Sequence, residues 1–141
     1  MNDNRENLNA VPDDAGDWDV ISVYTRRQAI ADGVLVDMTT GEPGELLREA
    51  GFRLHTAMTA GAFAAAIGGH DLPAGQDVSG RWWDVLMVLR AAIRRSPGTD
   101  RVNFTVSVWD GTRHNDVRLW CHCGPGDAGE PALTIMLQGE D

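Results

Sequence analysis

The chain has 141 residues, of which 43% are hydrophobic, a composition typical of one globular domain and not of a disordered protein. It carries 21 acidic residues and 12 basic ones, all arginines, for a net charge of -9. This charge argues against broad nucleic-acid binding, which needs a surface that neutralises phosphates. No apolar stretch approaches the roughly 18 residues that span a bilayer, so no membrane association is expected.

The negative charge is concentrated at the N-terminus. Residues 1–20 hold six acidic residues and one arginine, whereas residues 21–141 hold fifteen acidic residues and eleven arginines. Because residues 1–17 also have almost no apolar content, they are predicted to form a disordered acidic tail. Residues 18–141 are predicted to form a single domain. The polar, acidic start is unlike a secretory signal, so a cytoplasmic location is expected.

Short elements are predicted in the first half of the domain. Strand-forming residues, a capping-box pattern at Thr25–Gln28 and glycines at element ends define them. In chain order they are a strand at 18–24, a helix at 26–32, a strand at 34–36, a helix at 45–50 and a helix from 60 to 67 capped by Thr59. His55 is assigned to the loop between the last two helices.

One long helix and three strands are predicted in the second half. Apolar residues recur at helical spacing from Gly80 to Arg95, with Ser79 as N-cap. Period-two alternation then predicts strands near 102–109, 117–123 and 132–137, which short connections would pair as a meander. The expected fold is therefore α+β, with short N-terminal helices plus one long amphipathic helix packed on a C-terminal antiparallel meander of about three strands.

The segment that begins at Tyr24 is the best candidate for a ligand site. A capped helix offers free N–H groups at its N-terminus, and neighbouring arginines would add charge for a phosphate or carboxylate. The alternative is an ordinary capped helix with solvated arginines. The candidate ligand-binding residues are Tyr24, Thr25, Arg26, Arg27, Asp32 and Asp37.

Two tryptophans are candidates for partner binding. Trp109 and Trp120 alternate with the apolar positions of their strands, so both fall on the polar side of the predicted sheet. They would pair across neighbouring strands, be covered by a helix of the chain, or form an aromatic face on which a protein partner docks. The covering helix is the favoured interpretation of the three.

Other chemically interesting motifs are weaker. Cys121 and Cys123 would share one face of a strand while His122 points away, and no second ligand pair completes a metal site. They are interpreted as small core residues, and no metal or cofactor is expected. The Gly124–Asp127 turn is interpreted as a rigid connection, because Pro125 lacks an N–H group for an anion.

Several segments together resemble a known but uncharacterised family of small bacterial proteins carried on plasmids, phages and integrated elements. The resemblance covers most of residues 20–141. The segments that carry it are 21–37, 49–52, 80–86, 124–127 and 130–137. The chain departs from the pattern by the pair His55-Thr56, where a proline is expected nearby, and by Trp82-Trp83, where one tryptophan is usual. The resemblance implies an accessory role in a mobile element and no particular reaction.

The sequence therefore favours a non-enzymatic interaction protein of a mobile genetic element that modulates a host or element-encoded protein. The alternative is a small enzyme or ligand-binding domain for a phosphorylated or nucleotide-like molecule bound at Tyr24–Arg27. No Gly-x-Ser-x-Gly nucleophile motif is present. Direct nucleic-acid binding is not expected under either hypothesis.

Overall fold

The computed structural model describes residues 24–69 and 71–140. The predicted acidic tail at 1–17 and nearly all of the predicted strand at 18–24 lie outside the described residues. The described helices are α1 (Arg26–Ala31), α2 (Gly41–Glu49), α3 (Ala60–Ala66) and α4 (Val78–Arg95). The described strands are β1 (Leu35–Asp37), β2 (His55–Thr59), β3 (Arg101–Trp109), β4 (His114–Pro125) and β5 (Pro131–Leu137).

The five strands form one mixed sheet in the order β1-β2-β5-β4-β3. β1 pairs antiparallel with β2, and β2 pairs parallel with β5. β5 pairs antiparallel with β4, and β4 antiparallel with β3. The last strand in the sequence therefore lies at the centre of the sheet, between β2 and β4.

The predicted architecture of one long helix on a three-stranded meander is wrong. β1 and β2 extend the sheet to five strands, and the β2–β5 pair is parallel. The prediction missed β2 and placed His55 in a loop. In β2 three consecutive residues, Thr56, Ala57 and Met58, are fully buried. A strand covered on both faces does not show the alternation by which half-buried strands are recognised.

The apolar core lies between one face of the sheet and the helices α2, α3 and α4. We call this side of the sheet the inner face and the opposite side the outer face. Trp82 of α4 is fully buried there, and its indole N–H donates to the carbonyl of Pro43 at 3.0 Å. Leu86 and Leu89 follow on the same stripe of α4 and are also fully buried.

The helix starts are fixed by side-chain caps. The capping box of α1 is confirmed, since Thr25 accepts from the backbone N–H of Gln28 and the Gln28 side chain accepts from that of Thr25. The Thr59 cap of α3 is confirmed as well. For α4 the predicted cap Ser79 is wrong, because Asp77 accepts from the backbone N–H of Gly80 at 2.6 Å.

Arg81 joins three parts of the fold from a buried position near the start of α4. Its guanidinium donates to the carbonyl oxygens of Ile67, at the end of α3, and Trp109, at the end of β3. It also donates to the side-chain oxygen of Gln76 at 3.2 Å. The guanidinium loses its hydrating water on burial, and hydrogen bonds to these three oxygen acceptors compensate for that loss.

Across the described part of the chain, no helix combines the length and apolar character needed to cross a membrane.

Candidate functional site

The start of α1 receives a carboxylate from the far end of the chain. Asp127 lies in the turn between β4 and β5, and its two oxygens accept from the backbone N–H groups of Arg26 at 2.7 Å and Arg27 at 3.0 Å. These two bonds lower the pKa of Asp127. The N–H group of Gln28 is already bound to Thr25. The anion position predicted at this helix start is therefore filled by a carboxylate of the protein itself.

Arg26 attaches α1 to the outer face of the sheet. Its Nε donates to Nδ1 of His55 at 3.1 Å, and Nη1 donates to Oγ1 of Thr134 at 2.6 Å. Its Nη2 donates to the carbonyl oxygen of Leu133. Burial lowers the pKa of Arg26, and the nearby carboxylates Asp127 and Asp37 act in the opposite direction. The guanidinium thus serves as a cross-link between α1, β2 and β5.

His55 links Arg26 to Asp37. Since Nδ1 accepts from Arg26, the ring carries its proton on Nε2, which lies 3.5 Å from Oδ1 of Asp37. The same Asp37 oxygen accepts from the backbone N–H of Thr39 at 2.8 Å. Both ring nitrogens of His55 therefore face groups of the protein, Arg26 on one side and Asp37 on the other. The cluster joins the end of β1 to the start of β2 and connects both to α1.

Only some of the candidate ligand-binding residues line a common cavity. Tyr24 is 54% exposed and donates to Asp32 at 2.5 Å, an interaction that raises the pKa of Tyr24. Arg27 and Asp32 are exposed. A cavity of about 380 Å³ brings together Tyr24, Thr25, Arg26, Ala29, Leu35, Pro125, Gly126 and Asp127. Arg27, Asp32 and Asp37 do not line it, and the Asp127 carboxylate in its wall opposes an anionic ligand.

The two tryptophans lie on the outer face of the sheet but not beside each other. Trp120 pairs with Asn103, whereas Trp109 pairs with His114 at the other end of the β3–β4 ladder. The pairing of the two tryptophans considered from sequence is therefore excluded by the register. Neither ring belongs to the apolar core or packs against it. Among the described residues, the covering helix favoured from sequence is not found over them.

Each tryptophan instead contacts a neighbouring side chain on the outer face of the sheet. The Arg101 guanidinium lies 4.2 Å from the centroid of the Trp120 ring, within the range of a cation–π interaction. The Trp109 and His114 rings have centroids 5.0 Å apart and are tilted by 56°. Both tryptophans are half-buried. We call this set, Arg101, Trp109, His114 and Trp120, the aromatic face.

The cysteines lie on the inner face. Cys121 is 3% exposed, and burial raises its pKa to about 12, so its thiol is neutral. Cys123 is half-buried. No group of three or more potential metal ligands occurs within the described ranges.

Sequence reasoning missed the residues that complete the Arg26 cluster. Thr134 and Asp127 lie more than a hundred positions from Arg26 in the chain. His55 was visible as a polar residue at the start of an apolar run, and its assignment to β2 would have placed it on the sheet. No local pattern connects these residues, because the parallel β2–β5 pair brings two of them together.

The comparisons with known proteins give one match. A family of unknown function (DUF6573) matches residues 15–141. No curated protein and no solved structure matches the chain.

Proposed function

The chain belongs to the family of unknown function DUF6573, and from this premise we propose that it is a non-enzymatic cytoplasmic accessory protein that binds a protein partner through its aromatic face. The proposal makes it a component of a mobile genetic element, as the sequence resemblance implies. Its partner would be a host protein or a protein encoded by the element itself.

The observation that carries the proposal is the position of Trp120. Its large ring lies outside the apolar core, on the outer face, with the Arg101 guanidinium stacked on it. Tryptophan and arginine are the residues most enriched among those that contribute most to binding at protein interfaces. A stacked arginine is also partly ordered before binding, which reduces the entropy lost in a complex.

The surroundings of Trp120 resemble the polar rim of an interface. The outer positions of β3 between the two tryptophans are small, exposed and polar, namely Asn103, Thr105 and Ser107. Asp116 and Arg118 occupy the facing positions of β4 and are exposed. Short polar side chains between two aromatic residues leave the rings accessible to a flat protein surface.

The alternative site for a phosphorylated or nucleotide-like molecule has less support. The helix N–H groups that would bind its phosphate are occupied by Asp127, and Arg26 donates to groups of the protein. A ligand would have to displace these contacts. We therefore do not propose this function.

Affinity capture from the native host tests the proposal. The full chain would be compared with Trp120→Ala and with the control Arg95→Ala, which removes an exposed side chain of α4 away from the aromatic face. We expect the full chain and the control to capture the same protein, and Trp120→Ala to lose it. Circular dichroism should show that all three variants are folded, since Trp120 is not part of the core.

A second variant separates the aromatic face from the acidic N-terminal segment. Deletion of residues 1–17 is expected to leave capture of the partner intact. If the deletion abolishes capture while Trp120→Ala does not, the aromatic face is not the binding surface. Capture of the same proteins by every variant would also contradict the proposal.

A further inference from the structure

A second cavity, of about 520 Å³, lies on the inner face of the sheet, on the opposite side from the aromatic face. It is bounded by the end of α4, the loop that follows it, and the connection between α2 and β2. Its volume is within the range of about 300–1,000 Å³ that is usual for small-molecule sites.

One part of the cavity lining is apolar. Cys121, Val102 and Leu133 are buried and project from three adjacent strands. Phe52 and Leu54 are half-buried and complete the walls. Because the Cys121 thiol is neutral, no charge lies among these groups.

Ile93 shows that this apolar surface continues to the mouth of the cavity. It is the last apolar residue in the stripe of α4, yet it is 38% exposed, whereas Leu86 and Leu89 of the same stripe are fully buried. A side chain on the core-facing stripe of a helix is normally covered by other side chains of the protein. Ile93 instead borders the cavity.

Three exposed arginines also line the cavity. They are Arg53, Arg90 and Arg94, against a single carboxylate, Asp100. None of the three forms an ion pair with a carboxylate of residues 24–69 or 71–140. Arg101 also lines the cavity, but its guanidinium is stacked on Trp120. Arginines therefore outnumber carboxylates in this lining, whereas residues 21–141 as a whole hold fifteen acidic residues and eleven arginines.

The end of α4 explains only part of this arrangement. Cations are favoured near the C-terminus of a helix, which accounts for Arg94 in the last turn. Arg53 belongs to a different segment, and Arg90 lies a full turn earlier. Their convergence on one apolar cavity indicates a ligand that has both an apolar body and a negative charge.

We propose that this cavity binds a small amphipathic anion, with its apolar body against Val102, Leu133 and Ile93 and its carboxylate or phosphate group near Arg53, Arg90 and Arg94. This site shares only Arg101 with the aromatic face, and the proposal makes no use of that residue, so either proposal can fail without the other. The arginines would form charge-assisted contacts with the head group, and the apolar walls would remove the body from water.

Calorimetric titration of the full chain with decanoate tests the proposal. We expect saturable binding of one decanoate per chain. Decyl phosphate, with the same apolar body, should also bind, and the tighter of the two identifies the preferred head group. Decyltrimethylammonium, which reverses the charge, and inorganic phosphate, which lacks the apolar body, should not compete.

Substitutions place the ligand in the cavity. The double variant Arg90→Gln/Arg94→Gln should bind decanoate about tenfold more weakly, as expected for two partly exposed ion pairs. Ile93→Ala should weaken binding by about tenfold through lost apolar contact. The matched control Arg95→Gln changes an adjacent arginine that does not line the cavity, and its affinity should equal that of the unsubstituted chain.

Labelling of Cys123 provides a readout that is independent of affinity. Cys123 lines the cavity and is half-buried, whereas Cys121 is buried with a raised pKa and should react slowly. Saturating decanoate is expected to slow alkylation of Cys123 by iodoacetamide. The proposal is overturned by the absence of saturable binding, by equal affinity in Arg90→Gln/Arg94→Gln, by equal binding of decyltrimethylammonium, or by unchanged labelling.

Discussion

Arg26 and Arg81 bind backbone carbonyl oxygens from half-buried and buried positions, and within the described residues neither guanidinium donates to a carboxylate. Arg81 has three oxygen acceptors, and Arg26 has two oxygens and one ring nitrogen. A guanidinium suits this task because its five donors are arranged in a fixed plane. A lysine ammonium in the same place could not reach three separated acceptors in one plane. In both cases the charge cross-links elements that are distant in the sequence.

The contribution of Arg26 can be measured by substitution. Arg26→Ala would leave the buried or half-buried acceptors of Leu133, Thr134 and His55 without their donor, so we expect the free energy of unfolding to fall by about 2–3 kcal/mol. Arg26→Lys should recover less than half of this loss, because it restores the charge but not the planar geometry. Urea denaturation followed by circular dichroism measures both values.

The neighbouring arginine is the matched control for this prediction. Arg27 is exposed, and its side chain makes no hydrogen bond or ion pair with the described residues, so Arg27→Ala should change stability by less than about 0.5 kcal/mol. An equal loss in Arg26→Ala and Arg27→Ala would show that the helix propensity of α1, and not the cross-link, accounts for the effect.

At the scale of single elements, α1 is a six-residue helix. It is held by the caps at its N-terminus and by the hydrogen bonds of the Arg26 side chain. A helix this short is unstable in isolation, because nucleation is unfavourable and few hydrogen bonds follow it. Its capping box is local, but Asp127 reaches it from a turn 101 positions away. The turn between β4 and β5, which holds Asp127, thus connects two strands and also caps a distant helix.

The cap supplied by Asp127 predicts a dependence of stability on pH. Bonds from the N–H groups of Arg26 and Arg27 lower the pKa of Asp127 in the folded protein. Its stabilising effect is therefore complete above the pKa of an unfolded aspartate, about 4, and is lost as the pH falls through the lower value of the folded state. We expect Asp127→Asn to be less stable than the unsubstituted chain at neutral pH.

The difference in stability between the two chains should shrink steadily on acidification below about pH 4. Urea midpoints measured at a series of pH values test this. A difference that is the same at neutral and acidic pH would indicate that the Asp127 charge does not contribute to the cap.

At the scale of the whole molecule, the features predictable from sequence are those that depend on near neighbours. The capping box at Thr25, the cap at Thr59 and the alternation in β3 all involve residues a few positions apart. The Asp127 cap and the Arg26 cluster are not predictable in this way, because they join segments about a hundred positions apart. The same limit explains the wrong fold prediction, since strand order is a non-local property.

The sheet has different chemistry on its two faces. The inner face carries the core and the arginine-lined cavity, whereas the outer face carries α1 at one end and the aromatic face at the other. Arg101 belongs to both regions, because it lines the cavity and stacks on Trp120. A ligand in the cavity and a partner on the aromatic face would therefore be separated by the thickness of one sheet.

The central position of β5 makes folding depend on the end of the chain. β5 pairs with β2 through residues such as Leu133 and with β4 through residues such as Ile135, and both side chains are buried in the core. A chain that ends at Gly129 would lose both ladders and expose the core residues of β2 and β4. We expect this shortened chain to show no cooperative unfolding transition, because the β1–β2 pair and the β3–β4 pair would no longer be joined and each would have an unpaired edge.

Fluorescence of the buried Trp82 and far-ultraviolet circular dichroism should both report this loss, with the full chain as reference. In the three-stranded meander predicted from sequence, β5 would be an edge strand. Its removal would leave the β3–β4 hairpin packed on α4. In the mixed sheet, removal of β5 also separates β1 and β2 from the rest, so the loss should extend to the whole protein. A cooperative transition in the shortened chain would mean that β5 is added to a core that is already stable.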